Sequence, residues 1–425
     1  MVSTALSLIL LLCASSPGRA AVDPPVLPPP VSGEELEARR QALAREVEEG
    51  LVIVDAGSPP EGGEVHRDFY YLTGIETPGT HLLLEVEKGA GRATLFLPEQ
   101  NRRWERWNGP RPHPGEEAQT ATGIERILPL DRYPGRLSSA LARARVVLLD
   151  YRVVRLDEEP GPGLRRVEEI RRRHPNIARF QPYAPFVHRL RQVKSPHEID
   201  LLRRAIAITG RGLRRAMEGI RPDMYEFEVE ALIEGEFLAR GSPRPGFDSI
   251  IGSGPNACVL HYMLNRRRME PGEMVVMDVG ARAGAYTADV TRTVPVGGRF
   301  SERQGEIYGV VLAAQKAAIA AVRPGASIAD VGRAAREVIN GADLGGAWMH
   351  GVSHHVGLEV HDVSPLKKLG PGMVITIEPG LYLVDENLGI RIEDMVLVTE
   401  GGCEVLTASI PKELEEIEAA MAALY

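Results

Sequence analysis

Cysteine is nearly absent from this chain of 425 residues, which has three, at positions 13, 258 and 403. That excludes a disulfide scaffold, and none of the three stands in a CxxC spacing that would hold a structural metal. An excess of basic charge is missing too. With 50 Lys+Arg against 58 Asp+Glu the formal net charge is -8 and the pI about 5.9, which removes the electrostatic grounds for expecting a nucleic acid or an anionic membrane surface as partner. The apolar stretch 5–14 is ten residues long and falls short of the roughly twenty needed to span a bilayer. Disorder and low complexity are excluded in turn, because 44% of residues are hydrophobic and 44 Gly with 32 Pro stay under the roughly 25–30% that marks such chains. The length allows two or three globular domains.

What is there begins with a leader. The stretch 5–14 is followed by Ser15-Ser16-Pro17-Gly18 and the small pair Ala20-Ala21, the pattern of an export signal cleaved after Ala20. Residues 1–20 are therefore expected to be a signal peptide and the mature protein to be exported, periplasmic or secreted. Cys13 leaves with the leader, so Cys258 and Cys403 are expected as two buried thiols, a bridge between them being the alternative. Residues 21–33, with five prolines, read as an extended spacer.

Two regions then separate by pattern. Ser32 and Glu35 form a capping box opening a helix over 34–49, and short apolar runs at 51–54, 82–86, 93–97 and 146–149 alternate with helical stretches at 136–143 and 164–173. Residues 34–185 are thus expected to be a smaller α/β domain, without a Gly-rich phosphate loop or a nucleophile elbow. Its aromatic segments, 68–71 and 104–111, point to core or interface. Residues 186–425 open on a second capping box, Ser195-Pro196-His197-Glu198, and predict helices to about 219, over 225–240, 302–322 and 328–340. Strands are expected at 274–279, 286–294, 373–378 and 390–399, giving an α+β domain.

Those strands carry acids where a core strand would be apolar. Asp278 interrupts Val275-Val276-Met277, Asp289 interrupts the run 286–293, and a hairpin turning at Ala283-Gly284 would set the two directly opposite each other. Two carboxylates that close on a poorly solvated face repel, and the usual remedies are a shared proton or bound cations. The pattern recurs in Ile375-Thr376-Ile377-Glu378 and Ile390-Arg391-Ile392-Glu393-Asp394. The stretch 350–361 adds four of the eleven histidines, His350, His354, His355 and His361, and its two glycines argue for loop and strand, not helix. Four carboxylates and one imidazole suit a pair of divalent ions, and the oxygen-rich set favours Mn(II), with Co(II) or Zn(II) as alternatives. Arg391, two residues before Glu393, is placed to orient the carboxylates.

The ordered set of MDVGARAGAYTADVTRT, HGVSHHVGLEVHD, IEPG at 377–380 and RIED at 391–394 resembles the pita-bread metallopeptidases, family M24. The resemblance covers the whole mature chain. It implies an α+β pita-bread catalytic domain preceded by a smaller α/β domain, as in the aminopeptidase P and prolidase branch; methionine aminopeptidases lack that preceding domain. It further implies that Asp278 and Asp289 bind one metal with Asp289 bridging, that His354 and Glu378 complete the second, and that Glu393 bridges both. Glu378 is then the general base and proton shuttle. His261 corresponds to the histidine that stabilises the oxyanion, His361 to the one that holds the substrate peptide bond, and His350 to one lining the proline side.

Within the branch, aminopeptidase P removes the residue before a penultimate proline, whereas prolidase cleaves Xaa-Pro dipeptides. The segment Ser353-His354-His355 and the chain length favour the former, so peptides with proline second are the expected substrates. The segment Trp107-Asn108-Gly109-Pro110-Arg111 is similar to one that reaches a neighbouring subunit in tetrameric members, which implies a homo-oligomer, dimer or tetramer. Two departures bear on the rim of the site: an insertion found in many relatives between 340 and 350 is missing, and the loop 381–389 is short. A metal-free binding protein of the same fold is the reading from another class, and five intact ligand positions argue against it.

Overall fold

The computed structural model of the chain describes residues 31–57, 64–153 and 158–422; the expected signal peptide and most of the proline-rich spacer lie outside them. The amino-terminal half is built on a mixed sheet of six strands: β1 (Gly50–Asp55), β2 (His81–Glu87), β3 (Ala90–Leu97), β4 (Arg126–Pro129), β5 (Val146–Leu149) and β6 (Arg179–Pro182). Their order is β4-β3-β2-β1-β5-β6, with β1-β2 and β2-β3 antiparallel and the outer pairs parallel. Both faces are covered, which is why β1 reads as a continuous apolar run. Leu51 and Ile53 pack on one side with Val167 and Ile170, while Val52 and Val54 pack on the other with Leu43 and Phe69. β4 and β6 were not expected from the sequence; they are short, end in proline and occupy the two edges, where a missing N–H costs the ladder least.

Ser32 caps the first helix, Gly33–Val47, by accepting from the Glu35 amide. The return half of the expected box is absent, because Glu35 instead meets Arg39 at 2.6 Å and the Ser195 hydroxyl at 2.7 Å. That contact spans the two halves of the molecule. The apolar cluster under the inner face of the sheet also runs on, through Tyr183 and Val187, into Leu201, Leu202 and the core of the second half. At 104–111 the core reading fails: helix Arg102–Asn108 buries no residue and leaves Trp107 85% exposed.

The second half starts with helix Pro196–Gly219, whose Ser195 and Glu198 form both halves of the capping box. Helices Glu226–Ala239, Glu302–Ala321 and Ile328–Gly341 follow the expected bounds within one or two residues. They pack around short strands: β7 (Ile250–Ser253), β8 (Met274–Val279), β9 (Arg282–Ala283), β10 (Tyr286–Thr287), β11 (Val290–Pro295), β12 (Val374–Ile377), β13 (Gly380–Leu383), β14 (Leu388–Arg391), β15 (Asp394–Thr399) and β16 (Gly402–Val405). Two three-stranded sheets, β11-β8-β7 and β12-β15-β16, flank the two-stranded ribbons β10-β9 and β13-β14. β11 is sewn to the segment 391–393 through Thr293 and the Thr291 carbonyl, which brings both acid-bearing hairpins to one place. No helix among the described residues is long and apolar enough to cross a membrane. Cys258 and Cys403 are free thiols, and both are half-buried instead of buried.

Candidate active site

The first hairpin differs from expectation by two residues. Asp278 on β8 faces Thr291 on β11, and the turn residues are Gly284-Ala285, with Gly284 at φ +59 in the first loop position, where glycine is favoured. Asp289 is therefore not opposite Asp278 but lies two places along. A shift of two keeps a side chain on the same face, so the carboxylates still converge. The expected long strands also break, 286–294 at Ala288-Asp289 and 390–399 at Ile392-Glu393, and β12 ends before Glu378. Three of the four acids thus sit where the ladder is interrupted, and only Asp278 lies inside a strand.

At the meeting point Asp289, His354 and Glu393 offer donor atoms within 4.8 Å of one another. His354 is held by its backbone, which exchanges bonds with Thr376 on β12 (3.1 Å from the hydroxyl, 2.9 Å from the amide). Its Nδ1 lies 3.1 Å from the His355 carbonyl oxygen, which can only accept, so Nδ1 carries the proton and Nε2 keeps a free lone pair. Nε2 faces Glu378 Oε1 at 3.3 Å and Asp289 Oδ2 at 3.4 Å. Burial holds the ring neutral, its pKa lowered to about 4. Glu393 accepts from the Thr291 hydroxyl at 2.7 Å and Asp278 Oδ2 from Arg391 at 2.8 Å, while Asp278 Oδ1 is buried with no hydrogen-bond partner.

These acids resist ionising together. Burial first, then the charges of Glu393, Asp278 and Glu378, drive the Asp289 carboxyl well above its ordinary range, and burial with Asp278 and Glu378 does the same to Glu393. Glu378 is pushed up to about 8 by burial and Asp278, against the pull of Arg391. An adjoining cavity of about 260 Å³ is lined by His261, Asp278, His350, His354, His361 and Glu378, among others. The structure therefore brings every site residue expected from sequence to one cavity or its floor.

Residues 200–400 match metallopeptidase family M24, and residues 36–148 match the aminopeptidase P N-terminal domain. The chain is 34% identical to the Xaa-Pro aminopeptidase of Escherichia coli K12 across 92% of its own length and 98% of that protein's. The chain belongs to metallopeptidase family M24. Human Xaa-Pro aminopeptidase 3 is 31% identical over 83% of this chain and 76% of its own. Among solved structures, aminopeptidase P from E. coli with the inhibitor Pro-Leu superposes at a TM-score of 0.83, with 34% identity over 93% of this chain and 99% of that one. Proline aminopeptidase P II from Yersinia pestis gives 0.81, at 31% identity over 92% and 100%. The fold is accordingly a pita-bread domain preceded by an aminopeptidase P type α/β domain.

Several M24 site neighbours escaped the sequence reading. Tyr382 accepts from Arg391 Nη1 at 2.9 Å and donates to His350 Nε2 at 2.8 Å, while His350 Nδ1 gives its proton to the Gly351 carbonyl at 2.7 Å. Arg391 thus reaches Asp278 and, through Tyr382, His350. Its Nε also donates to the Thr291 hydroxyl at 3.2 Å, which passes the hold on to Glu393 at 2.7 Å, so Arg391 orients Asp278 directly and Glu393 through Thr291. Asp394, next to Glu393, points the other way to Arg292, Lys412, Thr407 and Gln315, all within bonding distance. The available signal was strand alternation, which sends consecutive residues to opposite faces.

Proposed function

We propose that this chain is a dinuclear, divalent-metal Xaa-Pro aminopeptidase, and that Mn(II) is its ion. The observation that carries the reading is the cluster itself. Asp289 and Glu393 are buried carboxylates and Glu378 a half-buried one, all three straining against ionisation, Asp278 Oδ1 lacks a hydrogen-bond partner, and His354 presents an unprotonated Nε2. Groups so arranged fit cations and fit little else, and oxygen donors outnumber the one nitrogen. Asp278, Asp289, His354, Glu378 and Glu393 would hold two ions, which when bound supply an activated water and Lewis-acid polarisation of the scissile carbonyl.

The protein's own groups then divide the work. Arg391 and Thr291 fix Asp278 and Glu393, whereas Glu378 accepts one long bond, 3.3 Å from Thr376, and faces the cavity. The looser carboxylate is the one suited to move a proton, so Glu378 Oε2 takes the water's proton and returns it to the leaving proline nitrogen. His261 and His361, on the cavity wall, steady the developing oxyanion and the substrate peptide bond. His350, locked by Tyr382, lines the proline side. Similarity to the Xaa-Pro aminopeptidase and aminopeptidase P of E. coli supports the penultimate-proline specificity. Metal-loaded protein assayed on Arg-Pro-Pro beside Gly-Pro tests the reading: the tripeptide should be cleaved and EDTA should stop it. Cleavage of the dipeptide alone would make the chain a prolidase, and chelator-insensitive turnover would refute the metal mechanism.

A further inference from the structure

His350, His354 and His361 stand on a loop whose outer side is anchored by the amino-terminal half. Arg191, at the end of helix Ala184–Gln192, is 3% exposed and sits between the two halves. Its Nη1 donates to Asp68 Oδ1 at 2.7 Å, in the first half, and its Nη2 donates to Asp362 Oδ1 at 2.5 Å and Glu359 Oε2 at 2.8 Å, in the second. Lys194 Nζ holds the other Asp362 oxygen at 3.1 Å. Asp362 is one peptide bond from His361, and its amide closes the loop on the His355 carbonyl at 2.8 Å. The loop wraps the carboxylate closely: a Cβ on Gly357 would lie 2.3 Å from Asp362 Oδ2. On the cavity side, the His361 and His354 rings meet edge to face, with centroids 4.3 Å apart.

A planar guanidinium can serve three carboxylates in fixed directions, which a point-charge ammonium cannot. Neither Arg191 nor Asp362 lines the cavity, so neither contacts substrate. We propose that Arg191 and Asp362 are positioning residues, through which the amino-terminal domain sets the ring of His361 in the catalytic cavity. The inference rests on the aminopeptidase reading for what His361 does, but its geometry does not. A plain interdomain staple would contribute stability alone. A positioning pair must act through His361, where misplacement by about 1 Å costs on the order of 10²-fold in rate.

The test is a double-mutant cycle on the full, metal-loaded chain, with Asp362→Asn and Arg191→Lys each made alone and with His361→Ala. Each single change should lower kcat/KM on Arg-Pro-Pro by about 10- to 100-fold, with metal content unchanged. In the His361→Ala background the same changes should cost less than about threefold, because the ring they place is gone. An equal factor in both backgrounds, or no loss in the first, overturns the proposal. Gly357→Ala, which leaves every charge in place, serves if a charge variant fails to fold. A second readout is independent of turnover: a crystal structure of Arg191→Lys should show the His361 ring turned away from the edge of His354. The same edge-to-face packing in that variant overturns the proposal even if the wild type cleaves no Xaa-Pro peptide.

Discussion

Arg292→Met is the perturbation whose cost the structure defines best. Arg292 is fully buried and donates to the carbonyls of Pro411 (2.7 Å), Glu393 (2.6 Å), Thr291 (2.9 Å) and Ile410 (3.1 Å) and to Asp394 at 2.8 Å. Removing one partner of a buried ion pair costs about 3–5 kcal/mol, and the low end applies because Asp394 keeps Lys412, Thr407 and Gln315. The carbonyls of Pro411, Glu393 and Ile410 lose a charged donor at about 1 kcal/mol each, that of Thr291 keeps the Glu393 amide, and the buried methionine returns about 1–2 kcal/mol. The balance is a loss of about 4–5 kcal/mol, a large share of the ~5–15 kcal/mol that holds a typical domain. Thermal and urea unfolding of metal-loaded protein measure it. Arg303→Met, which breaks only exposed ion pairs to Glu386 and Glu306, is the control and should cost under about 1 kcal/mol. If the two variants unfold alike, the buried arginine is not what organises the segment behind Glu393.

Two further outcomes follow from the acid cluster. Glu378→Ala should lose activity by about 10²- to 10⁴-fold yet leave the metal-free protein as stable as the wild type or more so, because one repelling carboxylate is gone; near-normal turnover would remove Glu378 from the mechanism. For pH, Glu378 at about 8 when folded lies above its unfolded value of roughly 4.3. A carboxyl raised in this way contributes stability that is complete below the unfolded pKa and lost as pH climbs through the folded one. Metal-free protein should therefore melt lower at pH 8 than at pH 6, and saturating Mn(II) should erase the difference with proton release. Equal melting temperatures in EDTA at the two pH values would contradict this. Asp68, Asp362 and Asp394, held low by their cationic partners against the effect of burial, act in the opposite sense and weaken the fold only below about pH 4.

Much of this was legible because local signals agreed with the fold. The helices after Ser195, Ser301 and Ser327 begin where expected, and in the structure each start is closed by a capping box that satisfies its own amides without tertiary help. The acid cluster was legible for a subtler reason: the hairpin register was misplaced by two, and an even slip preserves the face. What stayed hidden depends on partners far apart in the chain. Arg191 meets Asp68 and Asp362 across 123 and 171 residues, and Glu35 leaves its own cap for Ser195, 160 residues away. No periodicity encodes such pairings. The strand breaks at Asp289 and Glu393 were equally invisible, because their flanking residues remain strand formers.

The neighbours Glu393 and Asp394 serve opposite tasks from consecutive positions, one at the reactive cluster and one in a sealed cationic niche with Arg292 and Lys412. The residues around them, Ile390 to Val396, are buried throughout, and the length of the segment has no latitude. Gaining or dropping one residue between β14 and β15 would rotate the pair, delivering the shorter acid to the cluster and forcing the longer one into the niche. Changes of length here should accordingly be tolerated worst of all, and this stretch marks where grafting or loop engineering on this scaffold must not begin.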